Sequence, residues 1–215
     1  MRRGTVVRGT RTAIRGALAA ALAGLVAVTL SGCFVIPLVD GRSPFDDPFG
    51  SSKSDIESAI PPIQAAIDDS GAADGGVWRI VAERGSDNCE GPCKLRVDVT
   101  IEPADVSDQD TTDRPDLNSW YPNYAVPEEM LRTVLIAVIP VAEQNRVDVS
   151  IVPGYGELSP GGSTISADLS GAVEELFSSR PRGDGYSTRF GEGDDGEVEA
   201  FTRTKTGVLQ EMGLG

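Results

Sequence analysis

The chain has 215 residues, of which 40% are hydrophobic and 24% are charged, a composition typical of one globular domain. Its formal net charge of −14 argues against nucleic-acid binding, which needs cationic side chains at phosphates, and against docking on anionic lipid through a basic face. Histidine is absent, which excludes Ser-His-Asp and Cys-His catalysis and histidine-dependent metal centres.

The N-terminus has the pattern of an export signal. Five arginines and no acid precede an apolar run from Ala17 to Leu30. At a rise of about 1.5 Å per residue, this run spans about 21 Å, which is short of a hydrocarbon core of about 30 Å. The run therefore predicts the hydrophobic region of a signal peptide rather than a transmembrane helix.

The apolar run ends in a short motif, Leu30-Ser31-Gly32-Cys33. It resembles the lipobox of bacterial lipoproteins, in which small residues precede a cysteine whose thiol is lipidated. The resemblance covers residues 1–33 and implies cleavage before Cys33 and a lipid anchor on the extracytoplasmic face of the cell membrane. The alternative is an ordinary cleaved signal with a chance cysteine. Arginine outnumbers lysine 16 to 3, which favours a high-GC bacterium, such as an actinobacterium, as the source.

Three segments follow from this interpretation. Residues 1–32 are expected to be the signal peptide. Residues 33–53 contain three prolines and no clear period, and are expected to form a lipidated, flexible tether. Residues 54–215 are expected to form a single extracytoplasmic domain.

The first predicted helix starts at Ser54, whose side chain can cap it. Its apolar positions repeat at intervals of four, three and four residues, namely Ile56, Ile60, Ile63 and Ile67. Pro61 and Pro62 predict a kink or a later start, and Gly71 predicts the end. Strands are predicted over 77–83 and over 95–102, where apolar and charged residues alternate strictly.

The two remaining cysteines, Cys89 and Cys93, lie between these strands. With Cys33 lipidated they form an even pair in an oxidising compartment, so a disulfide is the simplest interpretation. In the chain-entropy model its small ring stabilises by roughly 2 kcal/mol. The alternative is a redox or metal pair, although the spacing is not that of C-x-x-C.

A long acidic loop is predicted over 103–126. Five carboxylates lie within twelve residues: Asp105, Asp108, Asp110, Asp113 and Asp116. Carboxylate oxygens are the ligands that Ca²⁺ prefers, so residues 105–116 could bind Ca²⁺. The alternative is a solvated acidic loop, because the EF-hand order of ligands and glycine is missing.

The second half of the domain begins with the clearest helix, which opens at Pro127. A strand over 146–153 follows it and nearly repeats the pattern of 96–103. This predicts a strand–helix–strand unit with a parallel, right-handed crossover. Residues 153–166 are predicted to be a loop, and 168–179 a short helix. The stretch 180–197 is rich in turns, and the tail after it fits either a strand or a helix.

These elements predict an α+β domain, a small sheet of three to five strands with helices packed on one face. The expected function is that of a membrane-anchored envelope lipoprotein with a non-catalytic binding or scaffolding domain. Its partner would be an envelope protein or another cationic molecule rather than nucleic acid. The alternative is an extracytoplasmic enzyme or calcium-dependent binder using the acidic loop 105–116.

Overall fold

The computed structural model describes residues 50–86, 94–104, 123–157, 164–180, 183–191 and 194–215. The helices of this part are α1 Lys53–Ser70, α2 Glu128–Asn145, α3 Ser170–Phe177 and α4 Val208–Glu211. The strands are β1 Trp78–Ser86, β2 Leu95–Pro103, β3 Asn123–Ala125, β4 Val149–Pro153, β5 Tyr155–Glu157, β6 Thr164–Asp168, β7 Tyr186–Gly191 and β8 Asp194–Ala200. Among these residues, no helix combines the length and the hydropathy needed to span a membrane.

The strands form two sheets. The larger sheet has the order β1-β2-β4-β8-β7, and the smaller one the order β3-β6-β5. β2 and β4 pair in parallel, as the predicted strand–helix–strand unit requires, while β1, β8 and β7 pair antiparallel to their neighbours. The predicted α+β class is confirmed, with a five-stranded main sheet and an additional small sheet that the sequence did not predict.

The main sheet has one apolar face and one polar face. Because side chains alternate along a strand, β2 turns Val97, Val99 and Ile101 to one side, where all three are fully buried. Helices α1, α2 and α3 contribute their apolar faces to the same core, with α1 against β1 and β2 and α3 against β7 and β8. The charged residues of β2, Arg96, Asp98 and Glu102, therefore lie on the opposite face.

Helix α1 begins two residues earlier than predicted. Ser52, not Ser54, is its N-cap: its hydroxyl accepts a hydrogen bond from the Asp55 backbone N, while the Asp55 carboxylate accepts one from the Ser52 backbone N. The helix also continues through Pro61 and Pro62. Both prolines are exposed, so the carbonyls that they leave unbonded can be hydrated. Gly71 ends the helix in the left-handed conformation, as predicted.

Two predicted irregular stretches are strands instead. Residues 153–166 contain β5 and much of β6, and 180–197 contain β7 and the start of β8. β5 pairs with β6 and β7 pairs with β8, both in antiparallel orientation. These strands are stabilised by pairing with each other, because none of them has a long run of alternating apolar and polar residues. The tail after residue 197, which was expected to be either a strand or a helix, contains both: β8 ends at Ala200, and α4 follows at Val208–Glu211.

Candidate functional site

All the residues that the sequence singled out as sites lie outside the described residues. They are Leu30, Ser31, Gly32 and Cys33 of the lipobox, the pair Cys89 and Cys93, and the acidic residues Asp105, Asp108, Asp110 and Asp113. Lipidation, the disulfide and calcium binding therefore stay predictions. Within the ranges that the structure describes, no three cysteine, aspartate or glutamate side chains come together in a way that could hold a metal ion.

The polar face of the main sheet carries a row of paired charges. On β2, Arg96 Nε lies 2.7 Å from Asp98 Oδ1, and its Nη2 lies 3.3 Å from Oε1 of Glu197 on β8. Between those strands, Ser150 on β4 donates a hydrogen bond to the same Glu197 oxygen at 2.7 Å. Burial raises the pKa of Asp98, and the neighbouring Arg96 only partly offsets that rise.

A second group of charges adjoins this row, at the start of β2. Lys94 Nζ lies 3.2 Å from both Asp148 Oδ2 and Glu199 Oε1, and 4.4 Å from the ring centroid of Phe201. The Asp148 side chain is only 4% exposed and also accepts a hydrogen bond from the Arg203 backbone N. Burial alone would lower the pKa of Lys94, but the two carboxylates outweigh it and raise that pKa.

These charges are paired with one another across β2, β4 and β8. Half-buried ion pairs of this kind fix which residues face each other, because an unpaired partner would be costly to bury. We therefore interpret the polar face as a structural network that holds the strands in register. The two edges of the same sheet differ from this face and from each other.

The first edge, β1, is occupied by a side chain of α1. Gln64 Nε2 donates a hydrogen bond to the Ile80 carbonyl at 3.1 Å, and Gln64 Oε1 accepts one from the Ala82 backbone N at 2.8 Å. These are backbone groups that a neighbouring strand would otherwise bind. The Gln64 amide therefore takes the place of a strand at this edge.

The second edge, β7, pairs only with β8 among the described strands. The Phe201 backbone N donates to the Gly185 carbonyl at 2.8 Å, and in this register Ser187 and Arg189 face β8 in the same way. Since hydrogen-bonding directions alternate along a strand, the backbone groups of Tyr186 and Thr188 point away from β8.

A groove of about 890 Å³ runs along this second edge. Its lining includes Phe177, Arg180, Tyr186, Thr188, Phe190 and Phe201. The Phe177 and Tyr186 ring centroids are 5.4 Å apart, and the Arg180 guanidinium lies 5.7 Å from the Phe177 centroid. Arg180 Nη1 is buried near Gly213, outside the groove lining, and has no hydrogen-bond partner in the part of the chain that the structure describes. Burial also raises the pKa of Tyr186.

No protein-family model, curated protein or solved structure matches this chain. The function is therefore inferred from the geometry of the chain itself. The sequence did not predict this groove, because the stretch 180–197 was expected to be rich in turns. One signal was present: Tyr186, Thr188 and Phe190 alternate with polar residues, which is typical of a half-buried strand.

Proposed function

We propose that this chain is a membrane-anchored envelope lipoprotein whose extracytoplasmic domain is a non-catalytic binding module, with the groove along β7 as its binding site. The observation that carries the proposal is the groove itself, in which aromatic rings and an arginine border an open strand edge. Aromatic residues and arginine are the side chains that contribute most to binding at protein interfaces.

The groove offers three kinds of contact at once. Phe177 and Phe190 offer apolar surface, Arg180 offers hydrogen-bond donors, and the outer side of β7 offers backbone groups. The polar face of the sheet offers less, since its charged groups already have partners within the domain. The groove is therefore the better candidate for contact with another molecule.

The lipid anchor is supported by the Leu30-Ser31-Gly32-Cys33 motif behind a short apolar run. Its test is metabolic labelling with an alkyne fatty acid, followed by membrane fractionation. We expect the wild-type protein to be labelled and to sediment with membranes, and Cys33→Ala to lose both properties. Cys89→Ala is the matched control, because that cysteine is not in the motif. Labelling that persists in Cys33→Ala would refute the anchor.

The binding site is tested in cells with a photoreactive amino acid at one position of each edge. We expect ultraviolet light to crosslink a partner to the protein that carries the probe at Ser187 on β7, in the groove. The matched control carries the probe at Arg84, an exposed position on the occupied edge β1. Equal yields at the two positions, or no adduct at Ser187, would count against the groove as the binding site.

A further inference from the structure

We propose that the Asp98 carboxyl is a proton-binding switch in the polar face of the main sheet, and that its protonation strengthens the pairing of β1 with β2 when the surroundings become acidic. The proposal follows from three features of the described residues: the charges that face Asp98, its position against β1 and the other partners of Arg96. It concerns the side of the sheet away from β7, so it can fail without affecting the proposed function.

Asp98 faces more negative than positive charge. In the register of β1 and β2 it lies directly opposite Glu83, and like charges in directly opposite positions of two strands repel each other. Ser150, its partner on β4, is uncharged, and on β8 Glu197 adds a second repelling carboxylate. Among the described residues, Arg96 is the one cation that faces Asp98. Loss of the negative charge on Asp98 therefore relieves repulsion from two neighbours.

The Asp98 carboxylate is also largely buried and lies against the backbone of β1. Its side chain is 19% exposed. A Cβ placed on Gly85 would lie 2.0 Å from the carboxyl carbon, so this glycine leaves the space that the carboxylate occupies. Burial disfavours the charged form of a carboxyl and is the main reason why the pKa of Asp98 is raised. Protonation therefore removes a buried charge from between β1 and β2.

Protonation of Asp98 does not leave the neighbouring cation without partners. While Asp98 is ionised, its Oδ1 lies 2.7 Å from Arg96 Nε. The same guanidinium lies 3.3 Å from Glu197 Oε1 and 3.8 Å from Glu199 Oε1, so it keeps two carboxylates when Asp98 binds a proton. The cost of a buried cation without an anion is thereby avoided. Glu197 is less suited to bind the proton, because its carboxylate also accepts a hydrogen bond from Ser150.

The direction of the pH dependence follows from the raised pKa of Asp98. A carboxyl that binds its proton more tightly in the folded state contributes stability that is complete below its ordinary pKa of 3.8 and is lost as pH rises through the raised value. Many other carboxyls titrate in the same range, so a variant is needed to isolate this contribution. Asp98→Asn cannot ionise and therefore resembles the protonated form at every pH.

The first test is urea unfolding of the full chain in detergent between about pH 3 and 7. At pH 7 we expect the unfolding equilibrium constant of the wild type to exceed that of Asp98→Asn at least about twofold, and the ratio of the two constants to fall as pH is lowered. Glu175→Gln, which changes an exposed acid on α3, is the matched control, and its ratio to the wild type should not depend on pH. A wild type more stable than Asp98→Asn at pH 7, or a ratio independent of pH, would overturn the proposal.

Carbon NMR of the Asp98 carboxyl gives a second measurement, which does not depend on how well Asp98→Asn folds. In the wild type, its titration midpoint should lie above 3.8. Glu83→Gln keeps the acceptor for the Thr100 hydroxyl but removes a facing negative charge, so it should lower that midpoint. A midpoint at or below 3.8 in the wild type would overturn the proposal.

Hydrogen exchange of single amides shows whether the proton acts on the pairing of β1 with β2. The outer backbone groups of Ile80 and Ala82 are bound by α1, so those of Val81 and Glu83 point toward β2. After correction for the intrinsic pH dependence of exchange, protection at Val81 and Glu83 should increase as pH falls in the wild type and not in Asp98→Asn. A change that is equal in both proteins would show that other groups control this pairing, and would overturn the proposal.

Discussion

The two edge strands of the main sheet differ in how their outer backbone groups are used. At β1, the side chain of Gln64 binds the Ile80 carbonyl and the Ala82 backbone N. At β7, the outer side borders a groove lined by aromatic residues. Exposed edges invite unwanted pairing, so proteins usually cover them or protect them with charges and bulges. One domain thus closes one edge and keeps the other accessible, which suggests that the accessible edge is used.

The largest expected effect concerns the support of the accessible edge. Gly196 on β8 has a φ of +84°, and a Cβ there would lie 2.5 Å from the Ser170 backbone N and 2.6 Å from the Leu169 carbonyl carbon. We expect Gly196→Ala to lower the free energy of unfolding by about 3 kcal/mol, since it combines backbone strain with a clash against the start of α3. Urea unfolding followed by circular dichroism measures the loss.

The matched control for this variant is Gly171→Ala, at the second residue of α3, directly after Ser170. A Cβ at Gly171 meets nothing within 4 Å, and its φ is not positive. Because Gly171 lies in the first turn of α3, alanine should be neutral or stabilise the helix by up to about 0.5 kcal/mol. If Gly196→Ala were as harmless as Gly171→Ala, β8 would not be packed against α3, and β7 would not be held as described.

The next effect concerns the closed edge. Gln64→Ala removes both hydrogen bonds to β1, so we expect a loss of about 2 kcal/mol in the free energy of unfolding. Exchange of the Ala82 amide should become faster, because its acceptor is lost. In Gln64→Glu, the acceptor for the Ala82 backbone N remains, so exchange of that amide should stay slow. Stability should still fall, because a carboxylate oxygen would replace the amide nitrogen that donates to the Ile80 carbonyl and to the Asp68 carboxylate. Unchanged exchange at Ala82 in Gln64→Ala would contradict the closure of β1.

Much of the fold was predictable because local patterns there agree with the final packing. The spacing of Ile56, Ile63 and Ile67 predicts the buried face of α1, and the alternation of Val97 and Val99 predicts β2. Such patterns are imposed by the core, so they are visible in the sequence. The same holds for α2, which begins at Glu128 after the predicted proline start.

The hairpin of β7 and β8 and the groove beside it could not be derived in this way. Glycines at 191 and 196 and the charged residues near them resemble a loop, and the strands form through pairing with each other and with β4. Phe177 and Arg180 are far in sequence from Phe201, and they come to line the same groove only when this hairpin closes the sheet. The role of Gln64 likewise depends on where α1 packs, which no local pattern specifies.

A smaller effect on stability is expected from the ion pairs of the polar face, which connect inner strands of the sheet. Asp148 and Glu199 raise the pKa of Lys94 despite its burial. Since its folded-state pKa exceeds the ordinary value of 10.5, its contribution to stability is complete below pH 10.5 and is lost as pH rises through the raised value. Urea unfolding between pH 9 and 12 should show this decline.

The raised pKa of Tyr186 acts in the same direction, because protonation of its hydroxyl is favoured in the folded state. Two variants therefore separate the contributions of Lys94 and Tyr186 to the loss of stability at alkaline pH. Lys94→Met should remove the part of this loss that comes from the ion pairs of the polar face, and Tyr186→Phe the part that comes from the tyrosine in the groove. A decline that neither variant reduces would mean that neither group titrates as described.

The smallest effect tests whether the accessible edge is stabilised by its own ion pair. Arg189 on β7 lies 3.2 Å from Glu197, but its side chain is 70% exposed. Exposed pairs contribute little, so Arg189→Gln should change the free energy of unfolding by less than about 0.5 kcal/mol. It should instead increase self-association in light scattering at high protein concentration, because a charge that protects the edge is lost. A loss above about 1 kcal/mol would mean that Arg189 closes β7 much as Gln64 closes β1, and the contrast between the two edges would disappear.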